Sequence, residues 1–249
     1  MNNLAIIGGT GFENLPPEFF GETVSVHLPN AEVKVISIAD NYVEPQALYF
    51  LPRHGHMHHL APHQIDYRAN MEALVKLGVK KILATNAVGS LRSDLPPGTL
   101  LIPHDFIDFT RRRTLTYFVG SEWRHTDFSQ PYSQVIRNAI MRAAEELDVP
   151  IVSRGVYVGV DGPRFETPAE VRMFALVGGD VVGMTGVQEA IFAREAGLEY
   201  GSLCFVTNYA AGLSLESIEH EAVSKIMQEH LPTIREVLFQ AAHFLCVQE

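Results

Sequence analysis

Hydrophobic positions along the chain fall into short dense runs separated by longer amphipathic stretches. The runs LAIIGG (4–9), VKVISIA (33–39), ALYFL (47–51), KILATNAVG (81–89), TLLIPHDFID (99–108), IVSRGVYVGV (151–160), DVVGM (180–184) and YGSLCFVT (200–207) are β-rich. Several are continuous in Val, Ile and Leu instead of alternating, as expected of strands buried on both faces. Helical spacing fills the intervals. Residues 65–78 place Tyr67, Met71, Leu74, Val75 and Leu77 largely on one side and close on Gly78, and 135–149 behave alike. Thr167, Pro168 and Glu170 have the spacing of a capping box with proline at the first helical position. QEAIFAREAGL ends a further helix at Gly197, and 217–246 form a long amphipathic stretch. Strand and helix alternate throughout, which predicts an α/β protein with one central sheet. No repeat, low-complexity tract or linker interrupts the pattern, so a single domain is expected over 1–249. The one long irregular segment, 110–133, is of a length that in a compact domain serves function or contacts a neighbour.

Composition narrows the class. The chain has 249 residues, 47% of them hydrophobic, enough for a full core. A formal charge of −10 argues against nucleic acid or an anionic membrane as partner, since both need a net basic face. The N-terminal MNNLAIIGGTG lacks a basic leader region, and no apolar run approaches the ~18 residues of a spanning helix. Cys204 and Cys246 sit in apolar surroundings without CxxC spacing and read as buried thiols of a cytoplasmic protein.

Four strand ends are rich in glycine, hydroxyl or amide residues: GGTGF (8–12), TNAVGS (85–90), GMTG (183–186) and TNYAAG (207–212). In an open α/β sheet, ligands bind beyond the carboxyl ends of the strands. GGTGF could open a dinucleotide site, but that fingerprint wants a glycine where this chain has Asn14. No tyrosine has the lysine four residues on that a short-chain reductase requires. By itself GGTGF reads equally as a tight turn or as a phosphate nest completed by the Thr10 hydroxyl. Jointly the loops say more. Thr10, Arg53, an Asn86–Ala87 turn and Thr185 each follow a predicted strand. If those strands are neighbours, a guanidinium, two hydroxyls and backbone donors converge on one pocket. That is the inventory for orthophosphate, with the arginine forked onto two of its oxygens.

GGTGF, RHG, TNAVGSL, GPRFET, GMTGVQEAIFAREAGL and VTNYAAG, in this order and spacing, resemble the trimeric purine nucleoside phosphorylase and methylthioadenosine phosphorylase family over nearly the whole chain. The resemblance implies an α/β domain with a mixed, distorted, barrel-like sheet, assembled as a homotrimer. It implies no metal and no cofactor, with inorganic phosphate as co-substrate. Phosphate would be held by Thr10, Arg53, His54, Asn86, Ala87 and Thr185. Met184 would lie against the ribose with its backbone near the sugar hydroxyls, and Phe165 would pack on the purine. Asn208, Tyr209 and Ala210 would address the base. His125, within HTDFSQPY on the long irregular segment, matches a histidine that reaches into the adjacent subunit's active site.

The stretch LPRHGHMHHLAPH (51–63) holds five of the eleven histidines and at first suggests a metal. It lacks a carboxylate or cysteine partner, and adjacent His58 and His59 cannot easily face one ion. His54 is therefore read as a phosphate contact, and His56, His58, His59 and His63 as loop, surface or interface residues.

Phosphorolysis attacks C1′ of a nucleoside with phosphate through an oxocarbenium-like transition state and expels the base. Phosphate is the nucleophile, so the protein positions it and stabilises charge on the departing purine. The donor and acceptor near N7 would be Asn208. An asparagine can donate to O6 and accept from protonated N7, which suits hypoxanthine or guanine. The adenine-specific branch of the family has aspartate there, and a small hydroxyl residue where this chain has Glu166. The Glu166 carboxylate can accept from N1–H of a 6-oxopurine. GVYVGVDGPRFET, GMTGVQEA and TNYAAG look most like the bacterial methylthioinosine phosphorylase branch. That branch wants an apolar residue at the position read here as His220, where general purine nucleoside phosphorylases use a histidine for the 5′-hydroxyl. The expected substrate is S-methyl-5′-thioinosine, with inosine or guanosine next and methylthioadenosine third. A non-catalytic nucleoside- or phosphate-binding protein is the alternative of another class.

Overall fold

Every described strand joins one mixed sheet, and the sheet branches at its longest member. The computed structural model describes residues 3–9, 11, 20–38, 47–55, 59–214 and 220–247, without the side chains of Phe20, His220, Glu221 and Ala222. In chain order the elements are β1 (Asn3–Gly8), β2 (Phe20–His27), β3 (Glu32–Ile38), β4 (Leu48–Pro52), a 3-10 turn (Pro62–Gln64), α1 (Tyr67–Lys76), β5 (Val79–Ser90), β6 (Leu100–Leu101), β7 (Asp105–Asp108), α2 (Gln134–Glu146), β8 (Ile151–Val152), β9 (Val156–Gly159), α3 (Pro168–Leu176), β10 (Val181–Gly183), α4 (Gly186–Glu195), β11 (Glu199–Tyr209) and α5 (His220–Val247).

The strands run β2-β3-β4-β1-β5-β10-β9-β7, with β11 joining β5 to β6 and β6 joining β8. β11 lies parallel along one edge of β5 from Lys81 to Ser90. The other edge is therefore shared. β1 pairs in parallel up to Ile7–Ala84, and β10 pairs antiparallel at Gly89 and Ser90. Between these two partners, residues 85–88 have no strand partner on that edge among the described residues. A gap of this kind at the strand ends is where an α/β sheet can admit a ligand.

Alternation along β1 shows why the apolar runs are continuous. Leu4 and Ile6 pack with α2 and α5 through Ile136, Ile140, Val237 and Leu238. Ala5 and Ile7 pack on the opposite face with α1 and α4 through Met71, Leu74, Ala190 and Phe192. Both faces are covered, so neither needs polar residues.

Most expected elements form. The Thr167–Glu170 capping box is present, with Pro168 opening α3. Gly78 takes φ +70° after α1, a conformation that glycine adopts without strain. Val75, expected on the apolar side of α1, is exposed. The runs 99–108 and 151–160 each break into two strands. Pro103 cannot donate to a ladder at the first break. At the second, a Cβ on Gly155 would stand 2.6 Å from the Leu101 side chain, so the backbone must pass close there. β2, not marked by its mixed polar sequence FGETVSVH, pairs antiparallel with β3 at the sheet's exposed end. The segment 110–133 carries neither helix nor strand, as its composition predicts. No described helix is long and apolar enough to cross a membrane.

Candidate active site

The gap on β5 opens into a cavity of about 410 Å³ lined by Arg53, His54, Ala87, Val88, Gly89, Phe165, Glu166, Met184, Thr185, Thr207, Asn208 and Val223, among others. The candidates from separate strand ends thus meet. Arg53 follows β4, Ala87 lies on β5, Thr185 precedes α4, and Asn208 is the penultimate residue of β11. Asn86 is not in a turn, as its composition suggested. β5 runs unbroken to Ser90 because β11 pairs with it all the way.

Arg53 is buried, and its fork is already occupied. Nε donates to Glu189 Oε1 at 2.6 Å and Nη2 to Oε2 at 2.8 Å, while Nη1 donates to the Thr85 carbonyl at 2.6 Å. That carbonyl lies in the stretch of β5 left open between β1 and β10. The Tyr200 hydroxyl completes Glu189 at 2.8 Å. Burial alone would lower the Arg53 pKa; the adjacent carboxylate reverses this and holds the guanidinium above its usual value. An anion can therefore meet this guanidinium only through its Nη1–Nη2 edge. The fork faces Glu189, leaving one N–H on each of Nη1 and Nη2 for an anion. A Cβ on Gly9 would come within 2.7 Å of Nη1, so the glycine of the first loop lets backbone and guanidinium approach. Thr10 itself lies outside the described residues.

Asn86 Nδ2 donates to Thr185 Oγ1 at 2.9 Å, and the Ser202 hydroxyl donates to Asn86 Oδ1 at 2.6 Å. By accepting, Thr185 keeps its own O–H to donate to an anion. It also precedes α4, whose N-terminus favours negative charge. His54 Nδ1 faces the Leu60 carbonyl at 2.8 Å and must donate to it. Nε2 then lies toward Gly9, 3.6 Å from the site of a Cβ there.

The opposite end has a different character. Residues 207 and 208 both line the cavity, which regular strand alternation forbids. A bulge in β11 between Val206 and Asn208 re-aims them. Thr207 Oγ1 donates to Asn208 Oδ1 at 2.9 Å, and Asn208 Nδ2 donates to the Tyr209 carbonyl at 2.9 Å. One amide N–H and one lone pair remain for a ligand. Glu166 is buried beside Phe165, which is exposed. Desolvation raises the Glu166 carboxyl above its ordinary pKa.

Other sequence candidates stand apart from the lining. Tyr209 sends its hydroxyl to the Ser93 carbonyl at 3.2 Å, and Ala210 packs in a core cluster with Val182 and Phe174. His125 is exposed on the irregular segment, edge-on to Trp123. The side chain of His220 is outside the description, but Val223, one helical turn later, lines the cavity. His59, read as a loop or surface residue, is exposed yet lies at the cavity wall, whereas His56 and His58 are outside the described residues. Sequence reasoning missed Glu189, Ser202 and Thr207. A signal existed for Glu189: a carboxylate inside the apolar run QEAIFA requires a cation.

Residues 3–242 match the phosphorylase superfamily. A 6-oxopurine nucleoside phosphorylase of Pyrococcus furiosus is 43% identical over 248 residues, covering 97% of this chain and 92% of that one. A protein of Methanopyrus kandleri named "Probable S-methyl-5'-thioinosine phosphorylase" is 41% identical, covering 98% and 93%. Among solved structures, methylthioadenosine phosphorylase of Schistosoma mansoni in complex with adenine superposes with a TM-score of 0.92 at 30% identity, covering 100% of this chain and 93% of that one. With strand ends, cavity and family match in agreement, the chain belongs to the phosphorylase superfamily.

Proposed function

We propose that this chain, acting as one domain over 1–249, cleaves the N-glycosidic bond of 6-oxopurine nucleosides with phosphate. Its preferred reaction converts S-methyl-5′-thioinosine and phosphate to hypoxanthine and 5-methylthioribose 1-phosphate. The observation that carries the reading is the placement of Glu166 and Asn208 on the same cavity as Arg53, Ala87 and Thr185. Phosphate sits against Arg53, His54, Asn86, Ala87, Thr185 and Thr10. The base stacks on Phe165, with N1–H donated to Glu166 and N7 and O6 met by the Asn208 amide, which is the catalytic group. Negative charge developing on the purine is thereby stabilised as the bond to C1′ breaks. Met184 borders the ribose. Val223 supports an apolar 5′ substituent. His220 in the turn before it, together with the Pyrococcus furiosus relative's name, supports the second reading, inosine or guanosine.

No cofactor is invoked, because phosphate itself supplies the nucleophile. The exposed Leu115, Val119 and Trp123 lie on the segment that carries His125, which supports a homotrimer in which His125 reaches a neighbour's cavity. Cys204 and Cys246 are buried, and burial pushes the Cys204 thiol up to about 12, in keeping with inert thiols in the cytoplasm. Release of free base, with and without phosphate, from methylthioinosine, inosine, guanosine and methylthioadenosine tests the reading. Phosphate-dependent turnover led by methylthioinosine is expected. Turnover led by inosine or guanosine would establish the second reading, and turnover of methylthioadenosine alone would overturn the roles of Glu166 and Asn208.

A further inference from the structure

We propose that Arg113, on the irregular segment after β7, is a positioning residue that clamps two walls of the cavity together. Its side chain is almost wholly buried and is not part of the cavity's lining. Nη2 donates to the Met184 carbonyl at 2.5 Å and to the Asp161 carbonyl at 3.0 Å. Nη1 donates to the Tyr67 hydroxyl at 3.0 Å, and that hydroxyl donates onward to the Pro62 carbonyl at 2.9 Å. Met184 and Pro62 belong to different walls of the same cavity. Arg113 therefore bridges the β10 end of the cavity to the segment that follows His54.

Three features give the bridge a direction of effect. A peptide unit is planar, so fixing the Met184 carbonyl fixes the orientation of the whole Met184–Thr185 unit. Desolvation raises the Tyr67 phenol above its usual value, which keeps its proton available for Pro62. Asp161, 3.4 Å from Nε, stands as the charge partner. The bonds that hold Arg53, Glu189, Asn86 and Thr185 contain no contact with Arg113. Because Asn86 anchors the Thr185 side chain separately, loosening the clamp frees the Met184 side of that unit more than the Thr185 side, and should disturb the nucleoside more than phosphate. The segment is also strapped down along its length: Gln188 donates to the Thr114 carbonyl at 2.8 Å, and Glu195 accepts from Thr116 and Tyr117. The clamp thus links the strap to the site.

The inference rests on the phosphorolysis reading. Steady-state rates of wild type, Arg113→Lys, Tyr67→Phe and the double variant would be measured with nucleoside and phosphate varied separately, beside thermal melts and hypoxanthine binding. For Arg113→Lys, KM for nucleoside should rise about tenfold, with KM for phosphate held within about twofold. Tyr67→Phe should raise it about threefold, and the double variant should match Arg113→Lys, because contacts in one chain are not additive. An unchanged nucleoside KM in folded Arg113→Lys, equal losses for both substrates, or additive losses in the double variant would overturn the clamp. Should Arg113→Lys fail to fold, Tyr67→Phe decides: it retains the Met184 contact, and an unchanged KM would sink the proposal. Wild type that neither turns over nucleoside nor binds hypoxanthine fails the functional reading instead.

Discussion

The two ends of the cavity are built differently. Around Arg53 the described charged and amide groups have protein partners: the guanidinium has Glu189 and Thr85, Glu189 has Tyr200, and Asn86 has Ser202 and Thr185. These groups are buried and stand on strands or at a helix start, so an anion arriving there meets donors that need no reorganisation. At the other end Phe165 is exposed, Asn208 sits on a bulge, and the Glu166 carboxyl is desolvated, with no cation hydrogen-bonded to it among the described residues. That end is completed by the ligand. On the proposed reading, a rigid phosphate seat lies beside a base site whose polar groups are less constrained, an arrangement in which specificity can change without loss of the seat.

The largest expected effect breaks the rigid end. Glu189→Ala leaves a buried guanidinium without its carboxylate, which should cost about 3–5 kcal/mol of stability in urea unfolding. A loss near zero would mean that the pair is not structural. Glu189→Gln, keeping shape and one acceptor, should be milder and should raise KM for phosphate more than for nucleoside.

Asn208→Asp acts at the adaptable end. The oxygen replacing Nδ2 would face the Tyr209 carbonyl, so the acid is favoured in its protonated form; with a base bound, that single proton turns from the carbonyl to N7 while the other oxygen accepts from a 6-amino group. The ratio of kcat/KM for adenosine-type over inosine-type substrates should rise about tenfold or more, about 1.4 kcal/mol. Unchanged relative rates would remove Asn208 from base recognition.

Glu166→Gln should have the smallest effect on the fold, and in the opposite direction. Because burial raises its pKa in the folded chain, Glu166 binds its proton more tightly there than when unfolded. Its contribution to stability is therefore present at low pH and lost as pH rises through the folded value. Above that value Glu166→Gln should melt slightly higher than wild type while turning over 6-oxopurines more slowly. In wild type, kcat/KM for inosine-type substrates should fall as pH drops through the same raised value, since the ionised carboxylate is a stronger acceptor for N1–H than the neutral acid. Parallel pH profiles of wild type and variant would show that Glu166 does not read the base.

Much of this was visible without coordinates. The apolar runs marked β1, β3, β4, β5, β10 and β11, the Thr167–Glu170 box marked the start of α3, and the six motifs marked the family. The half-exposed β2 carried too mixed a pattern to stand out, and the interruptions near Pro103 and Gly155 were hidden inside runs that looked uniform. At the site, Arg53 and Asn208 were legible as chemistry, but their partners were not. Glu189 lies 136 residues from Arg53, and Tyr67 lies 46 from Arg113.

What the sequence alone determined is the α/β class and the strand-end loops, because hydrophobic period and local turn chemistry are short-range properties, with Phe165, Glu166, Met184 and Asn208 added by the family motifs. Only the tertiary structure decided how those groups are spent: that the Arg53 fork belongs to Glu189, that a bulge turns Asn208 inward, that Tyr209 turns away, and that Arg113 reaches behind the wall. Each of these depends on which strands share an edge of β5, and pairing between distant segments follows from packing the whole sheet.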